Sequence, residues 1–289
     1  MTILVTGATG TVGSLVVQGL ARQGADVTAL VRQAGTASLP AGVKGVVADL
    51  TNVESMRKAL AGVRTLFLLN ALAPDEVTQS LQALNLAREA GVQRIVYLSV
   101  INADLYTDVP HFTGKHTVER MIESLDLPAT ILRPAYFMQN DIGIQPVIEG
   151  HGVFPMPIGA VGCAMVDVRD IADIAVAELL RRDRAPEPLP RLMLEVVGPE
   201  VVNGAAAAAA WSSALGRDIH YAGDDVQAFE AQLAQQLPGW MAYDLRLMVA
   251  RIQQIGQIAA DGAADKLVQL LGRPLRTYQA FVAERVSAN

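Results

Sequence analysis

Ile3-Leu4-Val5-Thr6-Gly7-Ala8-Thr9-Gly10-Thr11-Val12-Gly13 joins an apolar run to a helical pattern through three evenly spaced glycines. Ile3, Leu4 and Val5 have the continuous apolar character of a short strand buried on both faces. Three glycines at intervals of three follow, and Val12, Leu15, Val16 and Leu20 then recur at helical spacing. Glycine lets the backbone turn tightly and lets an anion approach it, while the first N–H groups of a helix point outward as donors. A strand, a glycine turn and a helix in that order form a device for holding a pyrophosphate; the plainer reading is a tight strand-to-helix connection. The context favours the first. Gly7, Thr9, Gly10, Thr11, Val12 and Gly13 are therefore expected to follow the phosphates of a dinucleotide.

Downstream, apolar runs and helical patterns alternate. After a first helix over about Val12 to Gln23, strands are predicted at 27–31, 44–48, 65–69, 94–99 and 129–133. Helices are predicted between them at 53–60, from Pro74 to Gly91, and at 113–125. Continuous apolar strands that alternate with helices indicate a parallel sheet covered on both faces, and the glycine turn at the first crossover makes it a doubly wound Rossmann-type α/β domain. Beyond about Gly150 the alternation decays. Short strands are expected at 151–157, 163–168 and 192–197, and a helix at 170–182. Asn203 is expected to cap a helix through the alanine run 205–210, a further strand falls at 219–221, and helices dominate from Asp225 onward. The expected division is a dinucleotide-binding domain over 1–150 and a smaller, mainly helical substrate cap over 151–289. Part of the second segment returns to the sheet.

Bulk properties narrow the function classes. The chain has 289 residues, 51% hydrophobic and 18% charged, which suits a globular protein with an ample core. A net charge of −6 argues against nucleic acid as the main partner. A single cysteine, Cys163 in an apolar run, allows no internal disulfide and reads as a buried inert thiol. The sequence opens on its first strand and holds no apolar run of membrane-spanning length, so a cytoplasmic protein without a leader is expected. His111, His116, His151 and His220 lack zinc-site spacing, no Gly-x-Ser-x-Gly elbow is present, and neither metal nor serine-hydrolase chemistry is expected.

The second strand ends Leu30-Val31-Arg32, where a carboxylate would serve the ribose hydroxyls of NAD. Arg32 is a fixed cation suited to a 2′-phosphate, or else a solvated surface arginine; its place at the strand's carboxyl end favours NADPH over NADH. Asp49-Leu50 ends the third strand, either flanking the adenine or serving as a turn acid beside a core leucine. Asn70, after the fourth strand, is also expected at the cofactor. On the helix after Pro110, Val118, Met121, Ile122 and Leu125 form an apolar stripe. Lys115 lies at its edge, either snorkelling to water or holding the nicotinamide. His111 shares that side if the helix begins early enough.

Several motifs together resemble the NmrA-like branch of the short-chain dehydrogenase/reductase superfamily. They are the 6–13 turn, Leu-Val-Arg at 30–32, Ala-Asp-Leu at 48–50 and His-Phe-Thr-Gly-Lys at 111–115. Ile-Leu-Arg-Pro-Ala-Tyr-Phe-Met-Gln-Asn at 131–140, Val-Asp-Val-Arg-Asp-Ile-Ala at 166–172 and Leu-Gly-Arg-Pro-Leu-Arg-Thr-Tyr at 271–278 complete the set. That family includes NADPH-dependent quinone reductases, triphenylmethane reductase and dinucleotide-binding regulators. The resemblance implies that Lys115 bonds the nicotinamide ribose and that Pro134, Tyr136 and Phe137 pass the nicotinamide ring. It also implies a departure, because His111 stands where the superfamily's usual catalytic tyrosine would be. Ser99 is near the place of the usual serine, although a strand-end serine satisfying backbone groups explains it as well.

The resulting expectation is hydride transfer from NADPH to an apolar, aromatic or quinone-like small-molecule acceptor, with Lys115, His111 and Tyr136 as catalytic candidates. Histidine is a residue type suited to proton donation near neutral pH, which makes His111 a candidate donor, and Tyr136 is a second. Phe154, Met156, Trp240, Met241 and Tyr243 are candidate pocket linings, each of which taken singly reads more readily as core. The alternative is a sensor that binds NADP(H) without turnover, distinguished by an exposed apolar patch in place of an enclosed pocket. Monomer and dimer are both compatible with the sequence.

Overall fold

Ile3, Leu4 and Val5 are wholly buried, and their strand, β1 (Thr2–Val5), runs between two parallel neighbours. The structure is a computed structural model that describes residues 2–33, 35 and 38–287. Val5 pairs with Ala29 of β2 (Val27–Val31) on one side and with Phe67 of β4 (Val63–Leu68) on the other. β3 (Lys44–Val47) adds outside β2, and β5 (Arg94–Leu98) and β6 (Ala129–Pro134) add in parallel beyond β4. With β8 (Leu192–Val196) the seven-stranded order is β3-β2-β1-β4-β5-β6-β8. The order reverses at β1, so the carboxyl ends of β1 and β4 form the topological switch point where doubly wound sheets bind ligands.

The helices follow the apolar periodicity. α1 (Thr11–Arg22) buries Val12, Val16, Val17 and Leu20, and a Cβ on Gly19 would meet Val176 of α6 (Val168–Arg184) at 2.7 Å. Asn52 caps α2 (Val53–Leu60) by accepting from Ser55 N at 2.9 Å, and α3 (Glu76–Glu89) ends at the turn of Gly91. α4 spans Pro110–Ser124, three residues longer at its start than the sequence pattern predicts. Proline is pre-set for a first helical turn, and this start places His111 in the helix, one turn before Lys115.

Beyond β6 the prediction fails in places. A 3-10 turn (Met138–Gly143) and α5 (Gln145–His151) occupy a stretch without an expected helix. Of the strand expected at 151–157 only β7 (Val153–Phe154) forms, paired with β9 (His220–Tyr221). Residues 163–168 make isolated bridges, Cys163 with Val202 and Val166 with Phe137, instead of a ladder. Gly159 and Gly162 hold left-handed conformations just before them, which breaks strand continuation. Asn203 does cap α7 (Gly204–Leu215), accepting from Ala206 N at 2.9 Å. α8 (Val226–Leu233), α9 (Gly239–Ile255), α10 (Ala263–Leu271) and α11 (Tyr278–Ser287) complete the helical C-terminal region.

By packing, the chain forms two compact units. One comprises residues 1–100, 114–133 and 171–194; the other takes 101–113, 134–170 and 195–289. The backbone thus passes between units several times, whereas the sequence suggested one division near Gly150. The helical region joins the second unit together with 101–113 and 134–170. No helix among the described residues is long and apolar enough to cross a membrane.

Candidate active site

The glycine turn is built by sterics. Thr6 Oγ1 donates to Leu69 O at 2.9 Å and accepts from Leu69 N at 2.8 Å, tying the end of β1 to that of β4. Gly7 turns the chain at φ +59°, and Gly10 N donates to Gly7 O at 3.0 Å. A Cβ on Gly13 would stand 2.1 Å from Gly7 O, so only glycine allows α1 to start this close to the turn. Gly10 supplies no side-chain cap, and the first turn of α1 carries no acid. Thr9, Gly10 and Thr11 are exposed, so the donor end of the helix is open to an anion. These residues fit a dinucleotide's pyrophosphate. A cavity of about 240 Å³ beside the turn is lined by Ala8, Ser14, Val17, Gln18, Ser38, Leu39 and Pro40.

Arg32 is exposed just past the end of β2. Asp49 performs the turn role, accepting from Thr51 Oγ1 at 2.7 Å and Thr51 N at 2.8 Å. Those bonds, assisted by the charge of Arg32, hold its carboxyl below the usual value. Leu50 is half-buried and its carbonyl accepts from Gln82 at 2.7 Å. Asn70 is buried against α3, accepting from Ser80 Oγ at 3.1 Å and donating to Gln79 at 3.2 Å.

Lys115 does not snorkel. Its Nζ donates to Glu76 Oε1 at 2.5 Å, and the two side chains are 14% and 7% exposed. Glu76, in the first turn of α3, is a functional candidate that sequence reading missed, because an acid at a helix start reads as a dipole partner in water. Ser99 is likewise claimed by a buried acid, not by backbone. Its Oγ donates to Glu119 Oε1 at 2.5 Å, and Arg133 grips the same carboxylate through Nε at 2.9 Å and Nη2 at 2.5 Å.

In the second unit, His111 meets Asp244 of α9 twice. The backbone N of His111 donates to Asp244 Oδ1 at 3.1 Å, and the ring Nδ1 contacts Oδ2 directly. Asp244 is 2% exposed. The segment carrying His111 is held by Tyr106, which stacks on Phe112 at 4.6 Å and donates to Gly256 O at 2.8 Å. Tyr136 is buried, and its hydroxyl donates inward to Asp141 Oδ1 at 3.3 Å. Tyr278 donates to the other Asp141 oxygen at 2.5 Å and accepts from Trp211 Nε1 at 3.0 Å. Burial pushes the Asp141 carboxyl up to about 7 although both tyrosines pull it down, and burial with the Asp141 charge drives the Tyr136 hydroxyl well above its ordinary value. Pro134 is buried, and Phe137 is half-buried and bridged to Val166.

Of the candidate linings, Phe154 and Met156 are core residues at 0% and 7% exposure, while Trp240 and Tyr243 stand out at 40% and 48% on α9, with Met241 half-buried. Cys163 is buried and its thiol pushed up by burial, as befits an inert side chain. Among the described residues no group of three or more His, Cys, Asp and Glu could hold a metal ion.

The sheet order, the turn that only glycine permits and the uncapped start of α1 define a Rossmann-type dinucleotide-binding fold. The chain belongs to the NmrA-like family, whose model matches residues 1–274. It is 32% identical over 291 residues to an NAD(P)H azoreductase of Xenophilus azovorans, covering 99% of this chain and 98% of that one. Among solved structures it is similar to the NADPH-dependent quinone oxidoreductase of Escherichia coli complexed with NADPH (TM-score 0.82, 25% identity, 99% of each chain). It also shares the fold of the Citrobacter triphenylmethane reductase complexed with NADP(H) (TM-score 0.85, 22% identity, 98% of this chain and 99% of that one).

Proposed function

We propose that the protein is an NADPH-dependent oxidoreductase that delivers hydride to an apolar, aromatic acceptor of the quinone or azo type. The observation that carries this is on α4: Lys115 and His111, one turn apart, are each bonded to a buried carboxylate, Glu76 and Asp244. Cofactor binding alone has no use for a second fixed proton-exchanging group beside the lysine, whereas a placed donor speeds reduction of a neutral acceptor, whose product oxygen or nitrogen is left anionic. The full-length similarity to an NAD(P)H azoreductase supports the same reading.

In this assignment Gly7, Gly10 and Gly13 shape the turn, and the N–H groups of Thr9 and of Thr11 to Gly13 hold the pyrophosphate. Arg32 takes the 2′-phosphate, Asp49, Leu50 and Asn70 border the nucleoside, and Pro134, Tyr136 and Phe137 border the nicotinamide. NADPH, when bound, supplies hydride from its nicotinamide C4. Lys115, oriented by Glu76, fixes the nicotinamide ribose. His111 supplies the proton. Tyr136, whose hydroxyl is spoken for by Asp141, contributes its position and not its proton.

The test is NADPH oxidation by the purified protein across quinones, azo dyes and cationic dyes, with NADH in parallel. Turnover with at least one aromatic acceptor and a preference for NADPH are expected. Tight NADPH binding with no turnover on any acceptor would establish instead the sensor reading, for which the exposed Trp240 and Tyr243 on α9 are the supporting feature.

A further inference from the structure

We infer that Asp244 is a positioning residue that fixes which nitrogen of His111 exchanges protons. This rests on the proposed reductase reading. Asp244 presents both oxygens to one residue: Oδ1 takes the backbone N–H of His111 at 3.1 Å and Oδ2 takes the ring at Nδ1. An ionised carboxylate only accepts, so Nδ1 must carry hydrogen in every protonation state of the ring. Nε2 is then the nitrogen that gains and loses a proton. The backbone bond holds the same carboxylate in place, and Phe112 packs edge-on to the ring at 4.7 Å, so both restrain this orientation. Asp244 itself is 2% exposed on α9, 133 residues from its partner, which is why no local pattern reveals it.

The consequence for the reaction is specific. A quinone or azo acceptor gains two electrons as hydride from NADPH, which leaves as NADP⁺, and the oxygen or nitrogen left anionic takes a proton from Nε2 of doubly protonated His111. Water then returns that proton to Nε2. A triphenylmethane dye cation takes hydride and becomes neutral, so it requires no proton. Asp244 therefore matters to the first kind of acceptor and not to the second.

Asp244→Asn separates the cases. The His111 backbone N–H holds the amide oxygen, so the amide NH₂ faces Nδ1 and donates to it. The neutral ring then carries its hydrogen on Nε2 and loses its fixed Nδ1 donor role. NADPH oxidation is measured with menadione, an aminoazobenzene dye and crystal violet, for wild type, D244N and His111→Gln. Both variants are expected to lose about a hundredfold in kcat with menadione and the azo dye, while the crystal violet rate of D244N stays within about threefold. Loss on all three acceptors alike, or on none, overturns the role of Asp244. A wild type inactive with every acceptor overturns instead the reductase reading. Should D244N not fold, ¹⁵N NMR of the wild-type imidazole decides, with the His111 signal assigned by its loss in H111Q. Nδ1 is expected to stay protonated while Nε2 titrates; a ring in which Nδ1 loses its proton and Nε2 keeps it refutes the inference.

Discussion

Replacing Gly13 with alanine tests the glycine turn where its geometry is tightest. The added Cβ would sit 2.1 Å from Gly7 O, 2.7 Å from Gly7 C and 3.1 Å from Ala8 Cα, all backbone atoms that cannot swing aside. Non-bonded heavy atoms rest at roughly 3.5 Å, so relief requires the turn or the start of α1 to move by more than about 1 Å. Such overpacking costs about 1–3 kcal/mol in a well-packed site. The same displacement shifts the N–H groups from Thr11 to Gly13 away from the anion, and a misplacement of about 1 Å in a pre-positioned site lowers performance about a hundredfold. Gly13→Ala is therefore expected to lower the thermal midpoint and to weaken NADPH binding by about two orders of magnitude.

Gly10→Ala is the internal control. Its Cβ would meet only Gly7 O, at 3.3 Å, and Gly10 has an ordinary φ of −81°. The fold should tolerate this change, while a methyl group on the exposed rim of the turn keeps the pyrophosphate from the backbone. Calorimetric titration with NADPH and thermal unfolding of both variants read the two effects separately. Refutation would be a Gly13→Ala protein that keeps the wild-type midpoint and binds NADPH within about threefold of wild type. In that event the turn would be a connection and not an anion cradle.

Arg32→Ala removes one charge-assisted contact worth about 1.5–3 kcal/mol, so NADPH affinity should fall ten- to a hundredfold with NADH affinity unchanged; equal losses for both cofactors would show that Arg32 does not read the 2′-phosphate. Burial raises the Asp141 carboxyl to about 7. An acid raised on folding contributes stability below its unfolded value near 4 and loses it as pH rises through the folded value, here an effect of roughly 4 kcal/mol at full extent. Asp141→Asn should therefore flatten the dependence of the urea midpoint on pH between about 4 and 8, and an unchanged slope counts against the buried acid. Ser99→Ala loses a bond to the buried Glu119 carboxylate, so stability should fall by about 1.5–3 kcal/mol while kcat holds; a tenfold drop in kcat at constant stability would return Ser99 to the chemistry.

Most of the sheet was legible because strands buried on both faces leave unbroken apolar runs: 27–31 and 53–60 form the predicted strand and helix to the residue. Local rules failed where local rules do not govern. The start of α4 at Pro110 was missed because the chain through Pro110 was read as loop, although proline at a first turn is preorganised for helix. The α5 segment and the bridges of 163–168 take their conformations from tertiary partners, such as Val202 against Cys163, which spacing along the chain does not encode.

The candidate site divides in the same way, with a consequence for mechanism. Lys115, His111, Tyr136 and Ser99 were each singled out from sequence. Each proves to be bonded to an acid that was not: Glu76, Asp244, Asp141 and Glu119, at 5%, 2%, 0% and 4% exposure. Sequence reading assigns acids to solvated faces because isolated carboxylates are rarely buried, and only pairing across the fold makes their burial tolerable. Stability is a poor explanation for such pairs, since well-packed apolar replacements are often neutral or better by about 1–4 kcal/mol. Ser99 and Arg133 share one acid in the core of the first unit, and Tyr136 and Tyr278 share another in the second, as structural hubs do. Glu76 and Asp244 instead address Lys115 and His111, near the start of one helix. Under the proposed reductase reading, orientation of those two side chains is what warrants burying an acid there.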